Sequence, residues 1–161
     1  MGFNIADLFE RAVDAVPDRM ALVCGDRSLT FAELDAEANQ LANHLLEQGF
    51  GVGDHIGIYG QNSAEWMIAM VAIFKIRAVP ININFRYVED ELAYLFDNAD
   101  LVALVHSREY IDRIEAVREK APALRHFVMI DDDSDLDPAR IGAVAWEDAT
   151  ASASAERPVL P

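Results

Sequence analysis

The segment HIGIYGQNSAEWMIAMVAIFKIRAVPINI, residues 55–83, places two short apolar runs on either side of a longer one. Residues 55–59 have strand length and no charge beyond a leading histidine. Asn62 or Ser63 then offers a helix cap, and Glu65 stands in the first turn, where a carboxylate meets the positive end of the helix dipole. Residues 66–74 are apolar nearly all the way round, which predicts a helix covered on more than one side. Residues 78–83 return to strand length and end at an asparagine-rich turn. Strand, covered helix and strand make a βαβ unit, the building block of a parallel sheet.

The same alternation continues on both sides. Upstream, Thr30-Phe31-Ala32-Glu33 is a capping box, in which the Thr and Glu side chains each satisfy the other's backbone N–H. Leu34, Ala38, Leu41 and Leu45 form one stripe over four turns, and Gly49 closes that helix. Before it, residues 20–24 and 28–30 read as a hairpin about the turn Gly25-Asp26-Arg27. A first helix is capped by Asn4, carries Ile5, Leu8, Phe9, Ala12 and Val16 at helical spacing, and ends at Pro17. Downstream, a helix over 88–97 opens with acids, 101–105 is a strand, and Ser107 caps a helix that turns Ile111, Ile114 and Val117 inward. Residues 127–130 form a further strand. The fold class is therefore α/β, a mainly parallel sheet flanked by helices. Beyond Ile130 the chain turns acidic, and 150–156 is small and polar, so residues 1–149 read as the folded unit and 150–161 as an exposed linker.

Composition excludes several classes of function. Of 161 residues 52% are hydrophobic and 25% charged, enough apolar side chain for a core. With 13 Lys and Arg against 28 Asp and Glu, the formal net charge is −15. Such a surface repels nucleic-acid phosphates and anionic lipid, so neither is an expected partner. The single cysteine, Cys24, cannot close an intrachain disulfide, which fits a cytoplasmic location. No apolar run reaches the roughly 20 residues a membrane span needs, and the first residues lack the pattern of a signal peptide.

Three tempting motifs fail on context. Gly49, Gly51 and Gly53 follow a helix and precede a strand, the reverse of a dinucleotide fingerprint. Asp131, Asp133 and Asp135 copy the opening of a calcium loop, but Leu136 and Gly142 stand where its turn glycine and bidentate glutamate belong. His44, His55, His106 and His126 are scattered without a metal-binding spacing. Ser63 and Ser107 are explained as caps, and Trp66 as core. Neither a catalytic residue nor a metal ligand is assigned.

Residues 28–100 as a whole carry a resemblance. In order they show Thr30-Phe31-Ala32-Glu33-Leu34, Gly49, Val52-Gly53-Asp54, Asn62-Ser63-Ala64-Glu65-Trp66 and Ala78-Val79-Pro80-Ile81-Asn82. This order resembles the opening of the adenylate-forming superfamily: acyl-CoA ligases, peptide-synthetase adenylation domains and luciferases. The phrase Phe74-Lys75-Ile76-Arg77-Ala78-Val79-Pro80 is most similar to bacterial fatty-acyl and sterol side-chain CoA ligases. One residue departs: Arg77 stands where the family usually has glycine, and its charge must reach solvent or a partner.

The resemblance implies a two-step reaction with ATP, CoA and Mg²⁺, in which a carboxylate is activated as an acyl-adenylate and passed to CoA. It also implies that the phosphate loop, the adenine-binding segments, the Mg²⁺ carboxylate and the catalytic lysine follow Pro161 in the family's order. The chain alone is then expected to be inactive and to bind none of these cofactors tightly. By the same resemblance Arg86, in Asn84-Phe85-Arg86-Tyr87, lies near the CoA nucleotide phosphates, against the alternative of a surface arginine paired with Glu89 or Asp90. The amino-acid-activating branch, a self-associating interaction module covering an open sheet edge as a homo-oligomer, and a flavodoxin-like nucleotide binder remain as alternatives.

Overall fold

The computed structural model describes residues 4–160. Helix α1 (Ile5–Ala15) starts at Asn4, whose Oδ1 accepts from Ala6 N–H, while Asp7 reaches back to Asn4 N–H. Strands β1 (Met20–Cys24) and β2 (Arg27–Thr30) form the antiparallel hairpin. Helix α2 (Phe31–Glu47) begins at the Thr30–Glu33 capping box, and its stripe Leu34, Ala38, Leu41 and Leu45 is buried as the spacing predicts. Then come β3 (His55–Tyr59), α3 (Ala64–Lys75), β4 (Val79–Ile83), α4 (Glu89–Asn98), β5 (Leu101–Ser107), α5 (Ile111–Val117) and β6 (His126–Ile130). A two-residue strand β7 (Val144–Ala145) and a short helix α6 (Trp146–Ala151), neither anticipated from the sequence, complete the chain.

The five strands β3 to β7 form one parallel sheet in the order β4-β3-β5-β6-β7. Strand periodicity sorts its side chains onto two faces. Ile56 and Ile58 of β3, Ala103 and Val105 of β5, and Val128 and Ile130 of β6 face α2, α3 and α6. Tyr59, Leu104, Phe127 and Met129 face α4 and α5. Gly57 leaves room for its neighbours: a Cβ there would lie 2.7 Å from Leu104 Cδ1 and 2.8 Å from Ile83 Cδ1, so both side chains would have to shift.

Helix α3, apolar on most sides, is wedged between the sheet and α1, α2 and β1, which explains its composition. Its one buried charge is Lys75, whose side chain is fully buried. The ammonium lies 2.6 Å from Glu10 Oε1 on α1 and 2.7 Å from Asp35 Oδ1 on α2, with the Phe9 ring beside it. Arg77, just past α3, has φ of +61°. That is the left-handed region where glycine costs least, so the departure at this position has a backbone price of about 1 kcal/mol. Its guanidinium reaches Asp7 Oδ1 at 2.6 Å, the partner its charge requires.

Residues 150–157 are largely exposed, but they lie along α2. Asn39 and Asn43, one turn apart, donate to the carbonyls of Ala155, Ser154 and Glu156. Arg157 pairs with Asp14 at 2.7 Å and approaches Asp35 at 3.6 Å. The expected cap at Ser107 does not form: a 3₁₀ turn, Arg108–Tyr110, follows it without a side-chain cap bond, whereas Ser63 caps α3 through Trp66 N–H at 3.0 Å. Two of the scattered histidines meet. His44 on α2 and His126 at the start of β6 bring their Nε2 atoms to 3.1 Å, so one ring donates and the other accepts. Burial and the neighbouring His44 and Arg125 push His126 down to about 4, and burial also lowers His44.

Two predictions follow from these buried charges. Lys75→Met strands Glu10 and Asp35 and is expected to lower the urea-unfolding free energy by about 3–5 kcal/mol, with most of it regained when both acids are also neutralised. The folded histidines take up protons less readily than their unfolded counterparts. Their contribution is therefore complete above the ordinary pKa of about 6.5 and is lost as the pH falls toward 4. From His126 alone, unfolding free energies measured in urea at pH 7 and pH 5 should differ by on the order of 2 kcal/mol, and His126→Gln should shrink the total difference by that much.

Candidate functional site

Parallel α/β sheets place chemistry beyond the carboxyl ends of their strands. At that end β3 stops at Tyr59 and Gly60, β4 at Ile83 and β5 at Ser107. The ends of β3 and β5 approach closely, since a Cβ on Gly60 would lie 2.7 Å from Ser107 Oγ. Between β3, the start of α3 and the turn after β4 lies an open cleft of about 400 Å³, lined by Asn62, Trp66, Asn82, Asn84 and Tyr87 among others. Trp66, half-buried, packs against the core on one side and forms part of the cleft wall on the other.

The turn 84–87 bears Arg86. Its backbone is held by local bonds: Arg86 N–H donates to Asn84 Oδ1 at 3.0 Å, and Tyr87 N–H to Asn84 O at 2.9 Å. Val88 N–H is taken by Glu91 Oε2 at 3.0 Å as α4 begins. The Arg86 side chain itself is exposed, with its guanidinium carbon 5.5 Å from the Phe85 ring centroid. It forms no ion pair with Glu89 or Asp90 among the described residues.

Two residues that the sequence did not single out grip this turn from beneath. Tyr59 Oη donates to Tyr87 O at 2.9 Å. Arg113, on α5, directs Nη1 to Phe85 O at 3.2 Å, Tyr87 O at 3.1 Å and Tyr59 Oη at 3.2 Å. The Tyr59 and Tyr110 rings lie 4.3 Å apart, and the Arg113 guanidinium sits 5.5 Å from the Tyr110 centroid. Burial, with the adjacent Glu109 carboxylate, pushes the Tyr110 phenol up to about 12, and burial raises Tyr59 as well, so both hydroxyls keep their protons at neutral pH. Tyr59 and Arg113 are 54 residues apart in the chain, and no local signal links them.

His106, at the end of β5, is fully buried and held near 4 by desolvation. Its Nδ1–H donates to Ser107 O at 2.9 Å, which leaves Nε2 as an acceptor without a partner among the described residues. Among the described residues no group of three or more His, Cys, Asp or Glu side chains gathers as a metal site. No helix there is long and apolar enough to cross a membrane.

Comparison with known proteins places this architecture. The family described as AMP-binding enzyme matches residues 9–160, nearly the whole chain. The chain belongs to the AMP-binding enzyme family. A medium/long-chain-fatty-acid–CoA/3-oxocholest-4-en-26-oate–CoA ligase of Mycobacterium marinum is 52% identical over 157 residues, covering 98% of this chain and 28% of the relative. A 3-oxocholest-4-en-26-oate–CoA ligase of Rhodococcus rhodochrous is 48% identical, again over 98% of this chain and 28% of its own length. Among solved structures, an anthranilate CoA ligase in complex with anthranoyl-AMP superposes with a TM-score of 0.87 at 27% identity, over 96% of this chain and 29% of that one. The chain thus spans less than a third of the length of the relatives it matches. The likeness to fatty-acyl and sterol side-chain CoA ligases, drawn from residues 74–80, is shared by the chain as a whole.

Proposed function

We propose that this chain is the N-terminal framework of an ATP-dependent, AMP-forming acyl-CoA ligase, and that its carboxylate substrate is a medium- or long-chain fatty acid or the side-chain acid of a 3-oxo sterol. The supporting observation is the 48–52% identity to ligases of that description along 98% of the chain. In this reading a carboxylate oxygen attacks the α-phosphorus of ATP and pyrophosphate leaves. The CoA sulfur then attacks the acyl carbon, its proton is lost, and AMP leaves with the bonding pair.

The framework's part in this chemistry is positional. It supplies a rigid sheet, a cleft at the carboxyl ends of β3 and β4, and one exposed guanidinium beside it. We assign Arg86 to the nucleotide phosphates of CoA. It is an exposed cation on a turn several of whose backbone groups are hydrogen-bonded, and a planar guanidinium can give two parallel hydrogen bonds to a phosphate. The described residues do not gather a donor set suited to Mg²⁺, so no step is routed through that ion here. Transition-state charge in adenylation needs donors and cations aimed at the phosphates. The carboxyl-end cleft, beside which Arg86 stands, is lined by asparagine amides, aromatic rings and aliphatic side chains and, among the described residues, by no cation. On this account the 161-residue chain alone has no ligase activity.

The ligase that carries this chain should form thioesters from palmitate-length acids and from 3-oxocholest-4-en-26-oate faster than from benzoate or any amino acid, as followed by AMP release. Preference for an amino acid would move the protein to the other branch of the superfamily. In the same enzyme Arg86→Ala should raise the KM for CoA about tenfold and that for ATP much less. An unchanged KM for CoA would remove Arg86 from the site.

A further inference from the structure

We infer that Arg113 is a positioning residue that sets the pose of Arg86. The inference rests on the assignment of Arg86 to CoA phosphate, but the geometry beneath it is independent of the ligand. A single nitrogen, Arg113 Nη1, faces the carbonyls of Phe85 and Tyr87, the residues on either side of Arg86 in the chain. Tyr59 Oη also lies within bonding distance of that nitrogen, whose two hydrogens are shared among the three acceptors, and donates to Tyr87 O, so a buried phenol at the end of β3 closes the arrangement. Bonds to a charged donor are roughly twice as strong as neutral ones. Here they act on main-chain atoms, which makes them indifferent to the side chains of the turn.

The consequence for Arg86 is preorganisation. An exposed arginine on a free loop loses backbone as well as side-chain freedom when it closes on a phosphate. With Asn84 holding two N–H groups of the turn and Arg113 two of its carbonyls, the backbone share of that cost is met on folding. Arg113 is itself fixed by its own helix and by the face of Tyr110, whose ring stacks on Tyr59. The contact therefore links three elements, β3, α5 and the turn after β4, through one guanidinium. Lysine does not substitute for it, because a single ammonium on a flexible stem lacks the planar group that rests on the Tyr110 ring.

Two measurements on Arg113→Gln and Arg113→Lys test this. In the 161-residue chain, hydrogen exchange at residues 85–88 should accelerate at least tenfold in Arg113→Gln and less in Arg113→Lys, while the amides of β3 and β5 keep their rates. Unchanged exchange at 85–88 overturns the proposal. If Arg113→Gln fails to fold, Arg113→Lys and Tyr59→Phe carry the same readout. In the ligase, Arg113→Gln should raise the KM for CoA about tenfold with that for ATP moving less than twofold, and it should add nothing when Arg86 is already alanine. An equal further rise in the Arg86→Ala background shows that Arg113 does not act through Arg86, and overturns the proposal. If Arg86→Ala alone leaves the KM for CoA unchanged, the CoA assignment fails, and the exchange rates alone then decide whether Arg113 sets the turn.

Discussion

One buried ammonium holds the helical side of this structure together. Lys75 ends the most apolar helix of the chain and points its charge into the seam between α1 and α2, where Glu10 and Asp35 receive it. A charge with no solvent exposure must be matched in place, and here α1 and α2 each bring one carboxylate to the end of α3 to do so. Arg157 approaches the same two acids from the other end of the chain, at 3.9 and 3.6 Å. The C-terminal segment is thereby tied to the seam, although its composition is that of a linker. Against a net charge of −15 such local pairing is what lets acidic residues contribute to cohesion instead of repulsion.

The sheet imposes a second constraint. Strand β3 lies between the edge strand β4 and β5, and its glycine leaves room for the Leu104 and Ile83 side chains on one face. On the same strand Tyr59 carries its hydroxyl to the turn after β4. Packing and presentation are thus consecutive features of one five-residue strand. Rigidity at its end passes directly to the backbone that bears Arg86, and the cleft beside that turn is built from the same strand ends.

Much of this was legible in the sequence, and the rest has a common reason for being hidden. The Asn4 and Thr30 caps, the α2 stripe, the all-round apolar α3 and the alternation of strand and helix are local patterns within one or two turns, and each is found where its residues predict. The family follows from the ordered motifs between Thr30 and Asn82. Non-local pairings were not legible. His44 and His126 are 82 residues apart, Tyr59 and Arg113 are 54, and Lys75 and Glu10 are 65. Strand β7 and helix α6 escaped because two residues of strand and six of helix are too short to show a period. Arg77 showed its oddity as a departure from glycine, but only the positive φ gives the physical reason. For the candidate site, Arg86 is proposed from its motif, whereas the hydrogen bonds of Tyr59 and Arg113 to the carbonyls of its turn have no local signal.

On the proposed function this framework separates shape from chemistry: it fixes a cleft and carries an exposed guanidinium beside it, and the groups that stabilise charge at the α-phosphorus are assigned to the rest of the ligase. Pyrophosphate exchange into ATP by the purified 161-residue chain, with Mg²⁺ and a long-chain fatty acid present, tests that separation most directly. The account predicts a rate equal to the protein-free blank. Acid-dependent exchange above that blank would show that these residues carry adenylation chemistry themselves, and would contradict it.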